Sequence, residues 1–233
     1  MEELDRIRGV YAQRARQGLD ARWAAGDTAS RFIHDGRRKA LHETLAERGL
    51  LPLAGRDVID VGCGTGGVLG EMVALGVDPR RCAGVDLLPE RIAAARRTWP
   101  AMHFECGDAA HLPWPEASFD IALQFTLLSS ILDGKLRDAI SRETMRVLRP
   151  GGTLLIYDFV WNPTNPDTRG VGARELRRLH PDREVETRRV TLAPPLARLA
   201  VQVSPLVGRA LEAVPLLRSH VLATVGRPFP PSA

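Results

Sequence analysis

A chain of 233 residues is long enough for one full-sized domain with a substantial core and too short for two comfortable ones. Its 44% hydrophobic and 26% charged residues are those of a soluble globule, which excludes collagen-like, coiled-coil and wholly disordered chains. The net charge is +4, and only two of the 32 basic residues, Lys39 and Lys135, are lysines. That excess of arginine reads either as a surface for nucleic acid or an acidic substrate, or as a background preference for arginine.

Residues 1 to about 50 read as helical, with Ala40, Leu41, Leu45 and Ala46 apolar among charges and no strand pattern. The start, Met1 to Asp5, is acidic and lacks an apolar region, so no targeting segment is expected. From Arg56 short apolar runs alternate with helical stretches. Val58–Val61 ends in a glycine cluster and is followed by a helical pattern from Val68 to Leu75. Cys82–Leu87 precedes a helix opening on Pro89, a residue suited to a first helical turn. Met102–Cys106 ends in Gly107-Asp108, and Phe119–Phe125 precedes a helix from about Leu136 to Leu148. Pro150-Gly151-Gly152 stops that helix, and Thr153–Val160 is the fifth run.

Strand and helix alternating at this spacing predict an α/β fold, a doubly wound parallel sheet with its strand-end loops along one edge. Beyond Val160 the rhythm breaks. An Asn-Pro loop at Asn162–Pro166 leads to a short basic helix between Gly172 and His180. A β-branched run at Glu184–Leu192 and an apolar run at Val221–Val225 follow. Between them, Leu196, Leu199, Ala200, Val203, Leu206, Val207, Ala210, Leu211 and Val214 make one apolar face, broken into two helices by Ser204-Pro205. That pair reads as a pocket wall, a dimer surface or a membrane-surface face. Its charges and prolines preclude stable membrane insertion. Cys63, Cys82 and Cys106 have neither metal-ligand nor disulfide spacing, so a reducing, cytoplasmic location and no metal are expected.

The decisive stretch is Val58 to Gly67, a strand that stops in a turn only glycine can make, followed by a helix N-terminus. Gly62, Gly64 and Gly67 satisfy a dinucleotide fingerprint, but Asp60, two positions earlier, suits a cationic ligand better than a pyrophosphate. The Gly-Lys-Ser/Thr of a triphosphate loop is missing. Asp60, Gly62, Gly64 and Gly66 together resemble the first motif of the class I S-adenosylmethionine-dependent methyltransferases. Asp86 ending the second strand, Gly107-Asp108-Ala109, Phe119-Asp120 and Arg146–Gly152 fall in that family's order.

The resemblance covers about residues 55 to 160 and implies a Rossmann-like sheet of seven strands, the last antiparallel, with residues 184–192 and 218–226 as strands six and seven. It implies S-adenosylmethionine as cofactor and S-adenosylhomocysteine as product, with no metal. Asp86, with Leu87, would take the ribose; Gly107, Asp108 and Ala109 the adenine; and Cys63 would fill the glycine turn. Gln124 would emerge beside the sulfur, while Asp120 supports the loop structurally. The chain divides into an N-terminal helical lid (1–54), a cofactor-binding core (55–160) and an acceptor-side tail (161–233) with a helical insertion at 194–214.

Methyl transfer is an in-line displacement, so alignment and water exclusion come first, with a base needed for an oxygen acceptor. The expected acceptor residues are Tyr11 on the lid, Phe125, Thr126, Ser129 and Ser130 after strand four, and Tyr157, Asn162 and Arg169 from strand five onward. Asp158 is the first candidate base, with strand-end hydrogen bonding as its alternative, and His34 the second. Arg169 either meets an anionic acceptor or is a solvated loop residue. The expected partner is a small-molecule acceptor and no nucleic acid, since the arginine clusters are not interleaved with aromatics. The acceptor reads as a hydroxyl of a natural product, glycosyl or lipid-like metabolite. An N- or C-methyltransferase, an RNA enzyme and a non-catalytic cofactor-binding module are the alternatives, and monomer and homodimer are both open.

Overall fold

The computed structural model describes residues 2–18, 27–162 and 165–226. Seven strands form one sheet: β1 (Val58–Val61), β2 (Cys82–Asp86), β3 (His103–Cys106), β4 (Phe119–Phe125), β5 (Leu148–Phe159), β6 (Glu184–Leu192) and β7 (Arg218–Gly226). Their order is β3-β2-β1-β4-β5-β7-β6. The first five run parallel, and β7 is antiparallel to both β5 and β6, the arrangement expected from the sequence. Strands six and seven have the expected bounds. The expected segment divisions include 19–26, 163–164 and 227–233, which lie outside the described residues.

Eight α-helices accompany the sheet among the described residues: α1 (Glu2–Arg16), α2 (Thr28–Glu47), α3 (Gly67–Ala74), α4 (Pro89–Thr98), α5 (Gly134–Val147), α6 (Ala173–Leu179), α7 (Pro194–Val203) and α8 (Pro205–Glu212). Successive strand residues point to opposite faces, and the core divides accordingly. Val58, Ile121, Leu123, Phe125, Leu155 and Tyr157 point to one face, packing with Leu41 and Leu45 of α2, Leu69 and Met72 of α3 and Ile92 of α4. Ile59, Val61, Ala122, Leu154 and Ile156 point to the other, packing with Ile140 and Val147 of α5 and Leu176 of α6. α2 is thus a layer of the body, and α1 lies over the strand-end edge.

Three expectations change in detail. α5 begins two residues early because Asp133 caps it, accepting from the amides of Lys135 (2.6 Å) and Leu136 (3.2 Å). It passes directly into β5 at Leu148, and the strand runs through Pro150-Gly151-Gly152, with a register shift against β4 between Phe119 and Ile121. The apolar face over α7 and α8 is divided. Ala197 and Ala200 pack on Ile33 and Leu192, whereas Leu199, Val203 and Leu206 are exposed. The break itself is as read, with Ser204 capping α8 by accepting from the Leu206 amide at 3.2 Å. No described helix is long and apolar enough to cross a membrane.

The helix after β1 is held close to the sheet by a lack of side chains. A Cβ on Gly70 would lie 2.5 Å from ring carbons of Trp99, and one on Gly66 2.9 Å from the rings of Phe104 and Trp99. Gly70→Ala should therefore lower the unfolding free energy by roughly 1–3 kcal/mol, the usual cost of overpacking. Gly134→Ala, with open space around the new carbon, should leave stability nearly unchanged. Urea denaturation of both variants checks the contrast.

Candidate active site

The strand-end edge carries a cleft lined by residues of α1, the turn after β1 and the ends of β2, β3 and β4. One wall is the turn after β1, where Gly62, Gly64 and Gly66 all have positive φ (83°, 54° and 80°). A Cβ at Gly62 would meet the Leu127 side chain at 2.9 Å, so both conformation and space require glycine there. The turn is tied to the end of β2: the amides of Gly62 and Cys63 both donate to the Val85 carbonyl, at 2.8 and 2.9 Å.

Asp86 closes β2, its carboxylate oriented by two amides, Gly64 N at 2.9 Å and Leu88 N at 3.0 Å. A carboxylate has about four acceptor sites, so two remain for a ligand in the cleft it lines. Asp108, after β3, accepts from Ala110 N at 2.9 Å and lies 3.2 Å from His111 Nδ1. Gly107, Asp108 and Ala109 form the floor beside Leu87, and Phe125, Thr126, Leu127 and Ser130 the wall after β4.

α1 is the roof. Leu4, Ile7 and Tyr11, on one helical face, line the cleft. Three polar contacts fasten the helix to the segment after β4. Glu3 accepts from Leu132 N (2.6 Å), Arg6 donates to the Ser130 carbonyl (2.7 Å), and the Tyr11 hydroxyl lies 3.3 Å from Ser130 Oγ. Arg6 holds the Glu3 carboxyl below its ordinary range, so the anchor is ionised at neutral pH. Arg91 of α4 stands 4.3 Å over the Tyr11 ring from the far wall.

Beside this cleft lies a buried ionic cluster. Asp60, on the α2–α3 face of β1, is 1% exposed, and its Oδ1 has no hydrogen-bond partner among the described residues. Burial pushes its carboxyl up to about 8; Arg37 opposes the rise, while Asp86 and Glu71 add to it. A carboxylate in such a place fits a cationic ligand group, the ammonium of an amino-acid end for example.

Against this geometry, the sequence matches the family described as "Methyltransferase domain" over residues 58–152. Residues 58–152 form a class I S-adenosylmethionine-dependent methyltransferase domain. The chain is 32% identical over 158 residues to a 27-O-demethylrifamycin SV methyltransferase of Amycolatopsis mediterranei, covering 63% of this chain and 56% of that one. It is 30% identical over 128 residues to an ajmaline N-methyltransferase of Rauvolfia serpentina, covering 52% and 42%. A methyltransferase structure from Archaeoglobus fulgidus superimposes with a TM-score of 0.58 at 17% identity, over 86% of this chain and all of that one, a likeness of fold. The chain spans about half the length of the curated relatives it matches.

Around the methyltransferase domain, the fold brings together Tyr11 of α1 with Gly62, Asp86, Leu87, Gly107, Asp108, Ala109, Phe125, Thr126 and Ser130 as cleft lining. Other expected site residues lie elsewhere, and strand parity explains two of them. Gln124 points to the α5 face, where it is fully buried and donates to Thr144 Oγ1 at 2.8 Å. It does not reach the cleft. Asp158 is on the same face, with its oxygens accepting from the amides of Ser129 (3.0 Å) and Phe159 (2.8 Å). Burial pushes it to about 6, but its lone pairs serve the turn after β4, and it does not line the cleft as a base should.

Ser129 is buried under the same turn, and the buried Cys63 side chain packs against Gly84. Tyr157 is buried on the α2 face and donates to Thr191 Oγ1 at 2.9 Å. Asn162 accepts from Asn165 N within its loop. Arg169 is fixed by its backbone, its amide donating to Ser129 and its carbonyl accepting from Arg137, while its guanidinium lies 3.4 Å from the Leu132 carbonyl and 4.0 Å from Glu175. It is a loop residue outside the cleft lining. Asp120 accepts from Asp57 N at 2.8 Å and pairs with Arg149, away from the cleft.

Sequence reasoning missed Leu4, Ile7, Arg37, Glu71 and Arg91. The apolar pair was legible as one face of an N-terminal helix; the charged three gave no signal among so many arginines and acids.

The raised Asp60 carboxyl has a consequence for stability. The unfolded chain loses this proton near 3.8 and the folded chain near 8, so the folded state binds more protons between them and stability falls as pH rises through that window. Asp60→Asn should remove this part of the fall, gaining on the parent chain in thermal midpoint from about pH 4 to about pH 8. Midpoints of both proteins across that range, without added cofactor, check the difference.

Proposed function

We propose that the chain transfers a methyl group from S-adenosylmethionine to a small-molecule acceptor, at a hydroxyl. The cleft carries this reading: Asp86 and Asp108 are oriented carboxylates on its floor, glycine-only backbone forms one wall, and apolar residues of α1 form the roof. When bound, the cofactor supplies an activated methyl group on a sulfonium, ready for in-line displacement.

The rest is the work of the chain. Asp86 takes the ribose hydroxyls, Asp108 and the Ala109 amide hold the adenine edge, and Asp60 holds the ammonium. Leu4, Ile7 and Tyr11 exclude water and keep the reactants aligned, the main source of acceleration in such a transfer. His34 is half-buried, and burial with Arg37 and Arg38 holds its imidazole below its ordinary range. It is not among the residues that line the cleft, so, like Asp158, it is not placed to accept the hydroxyl proton there. The rifamycin relative's name supports oxygen as the acceptor atom; the ajmaline relative's name supports nitrogen as the second reading.

Calorimetry with S-adenosylmethionine should give one site per chain, and Asp86→Ala should weaken it by about 30-fold or more, the loss expected for a charged hydrogen-bonding group. Labelled methyl should pass to extracts of small metabolites, and Asp86→Ala should lower that rate together with cofactor affinity. Label in RNA would overturn the acceptor class, and binding without turnover on any pool would mark a non-catalytic module.

A further inference from the structure

The helix pair α7–α8 meets the body with small residues and turns its large apolar ones outward. Ala197 and Ala200 pack inward from α7, and Gly208 sets α8 against α2, where a Cβ on it would lie 3.0 Å from the Phe32 ring. At 3.6 residues per turn, Leu199 and Val203 then fall on the outer side of α7, and Leu206 and Ala210 on that of α8. Leu199 is 64% exposed, Leu206 75% and Val203 77%, and Leu216, in the turn before β7, is 87% exposed. Side chains this exposed project singly from the surface instead of lining a groove. A contiguous apolar face of this kind marks an interaction site.

The charge around the face is one-sided. From Ala193 to Leu217 the chain has two arginines, Arg198 and Arg209, and a single acid, Glu212. Glu212 turns inward, its carboxylate beside Gly36 and accepting from the Leu192 amide at 3.3 Å. The adjoining groove between α8, α2 and β6 continues the pattern. It is lined by Arg31, Arg189, Arg209 and Arg218, none of which forms an ion pair among the described residues. The other acids of the groove are already engaged, Asp35 with Arg38, and Glu43 with Lys39 and Arg188. Positive charge beside the apolar face is therefore unmatched among the described residues.

That combination selects the occupant. A second copy of the chain would bring the same arginines to the contact and no outward acid to meet them. An anionic lipid surface meets both needs at once: its acyl region takes projecting leucines and valines, and its phosphates take guanidinium groups in bidentate fashion. We propose that α7–α8 docks this chain on an anionic membrane surface, with Leu199, Val203, Leu206 and Leu216 entering the headgroup layer and the arginines of the adjoining groove contacting lipid phosphates. The two helices have 10 and 8 residues, too few to cross a bilayer, so the docking is peripheral and reversible. Docking of this kind does not depend on the methyl-transfer reading above.

Co-sedimentation tests this with vesicles of phosphatidylcholine alone and of phosphatidylcholine mixed equally with phosphatidylglycerol. The unmodified chain should bind the mixed vesicles about tenfold or more tighter than the neutral ones, and raised salt should shrink that preference. Val203→Ser combined with Leu206→Ser should weaken binding to the mixed vesicles about tenfold or more, the scale of two apolar side chains denied burial. Arg209→Gln should weaken it about fivefold. All three positions are exposed, so unchanged thermal midpoints will show that the variants are folded. Failure of the unmodified chain to bind mixed vesicles overturns the proposal. Binding that Arg209→Gln weakens and the Val203→Ser, Leu206→Ser variant does not is adsorption by charge alone and overturns it too. Light scattering covers the remaining occupant: a dimer that the same double variant turns into monomer would make the face an interface between copies, against the proposal.

Discussion

The rest of the site depends on one arrangement: a carboxylate buried near the end of β1 whose Oδ1 has no hydrogen-bond partner among the described residues. A lone Asp in the core is costly, and here it is 1% exposed with its proton held to about 8. The surrounding structure keeps it where it is. The turn at Gly62–Gly66 draws the backbone over it, β2 anchors that turn through Val85 and Asp86, and α2 and α3 bring a guanidinium and a second acid to the same face. The guanidinium moderates the cost, whereas the neighbouring acids add to it. Stability forgone in the empty protein is available to a ligand that supplies the missing charge.

The sheet distributes roles by parity. Odd and even positions of a strand face different helices, so neighbouring residues at a strand end enter different surroundings. Phe125 and Tyr157 turn toward α2 and the ionic cluster; Gln124 and Asp158 turn toward the α5 side and brace the turn after β4. That bracing is itself useful. The same turn presents the Ser130 carbonyl and the Leu132 amide to α1, so Asp158 contributes to the cleft by holding its wall in place.

Much of this was legible in the residues. The alternation from Val58 to Phe159 gave the parallel core, and the acidic and glycine positions gave the cleft floor. Even the antiparallel last strand followed from resemblance. The misplacements had two causes. Nearness to a strand end puts Asp158 and Gln124 at the cleft, whereas parity within β4 and β5, counted from Phe125 and from Tyr157, assigns them to the other face. Arg37 was invisible for a different reason: in a chain with 32 basic residues, one that is buried has the same letter as those on the surface, and only tertiary packing separates them. The divided face of α7 and α8 is similar, because apolar residues on several sides of a helix do not declare which side meets the body.

The roof has a kinetic meaning. α1 contains no buried residue and is fastened to the segment after β4 by a handful of polar contacts, whereas the sheet beneath has a dense apolar core on both faces. Local opening of α1 therefore requires far less free energy than any disturbance of the strands. Under the proposed function, ligands would enter and leave as this one helix undocks, while the carboxylates proposed to hold them stay in register. Residence time and recognition would then be governed by separate parts of the chain, each able to change without the other.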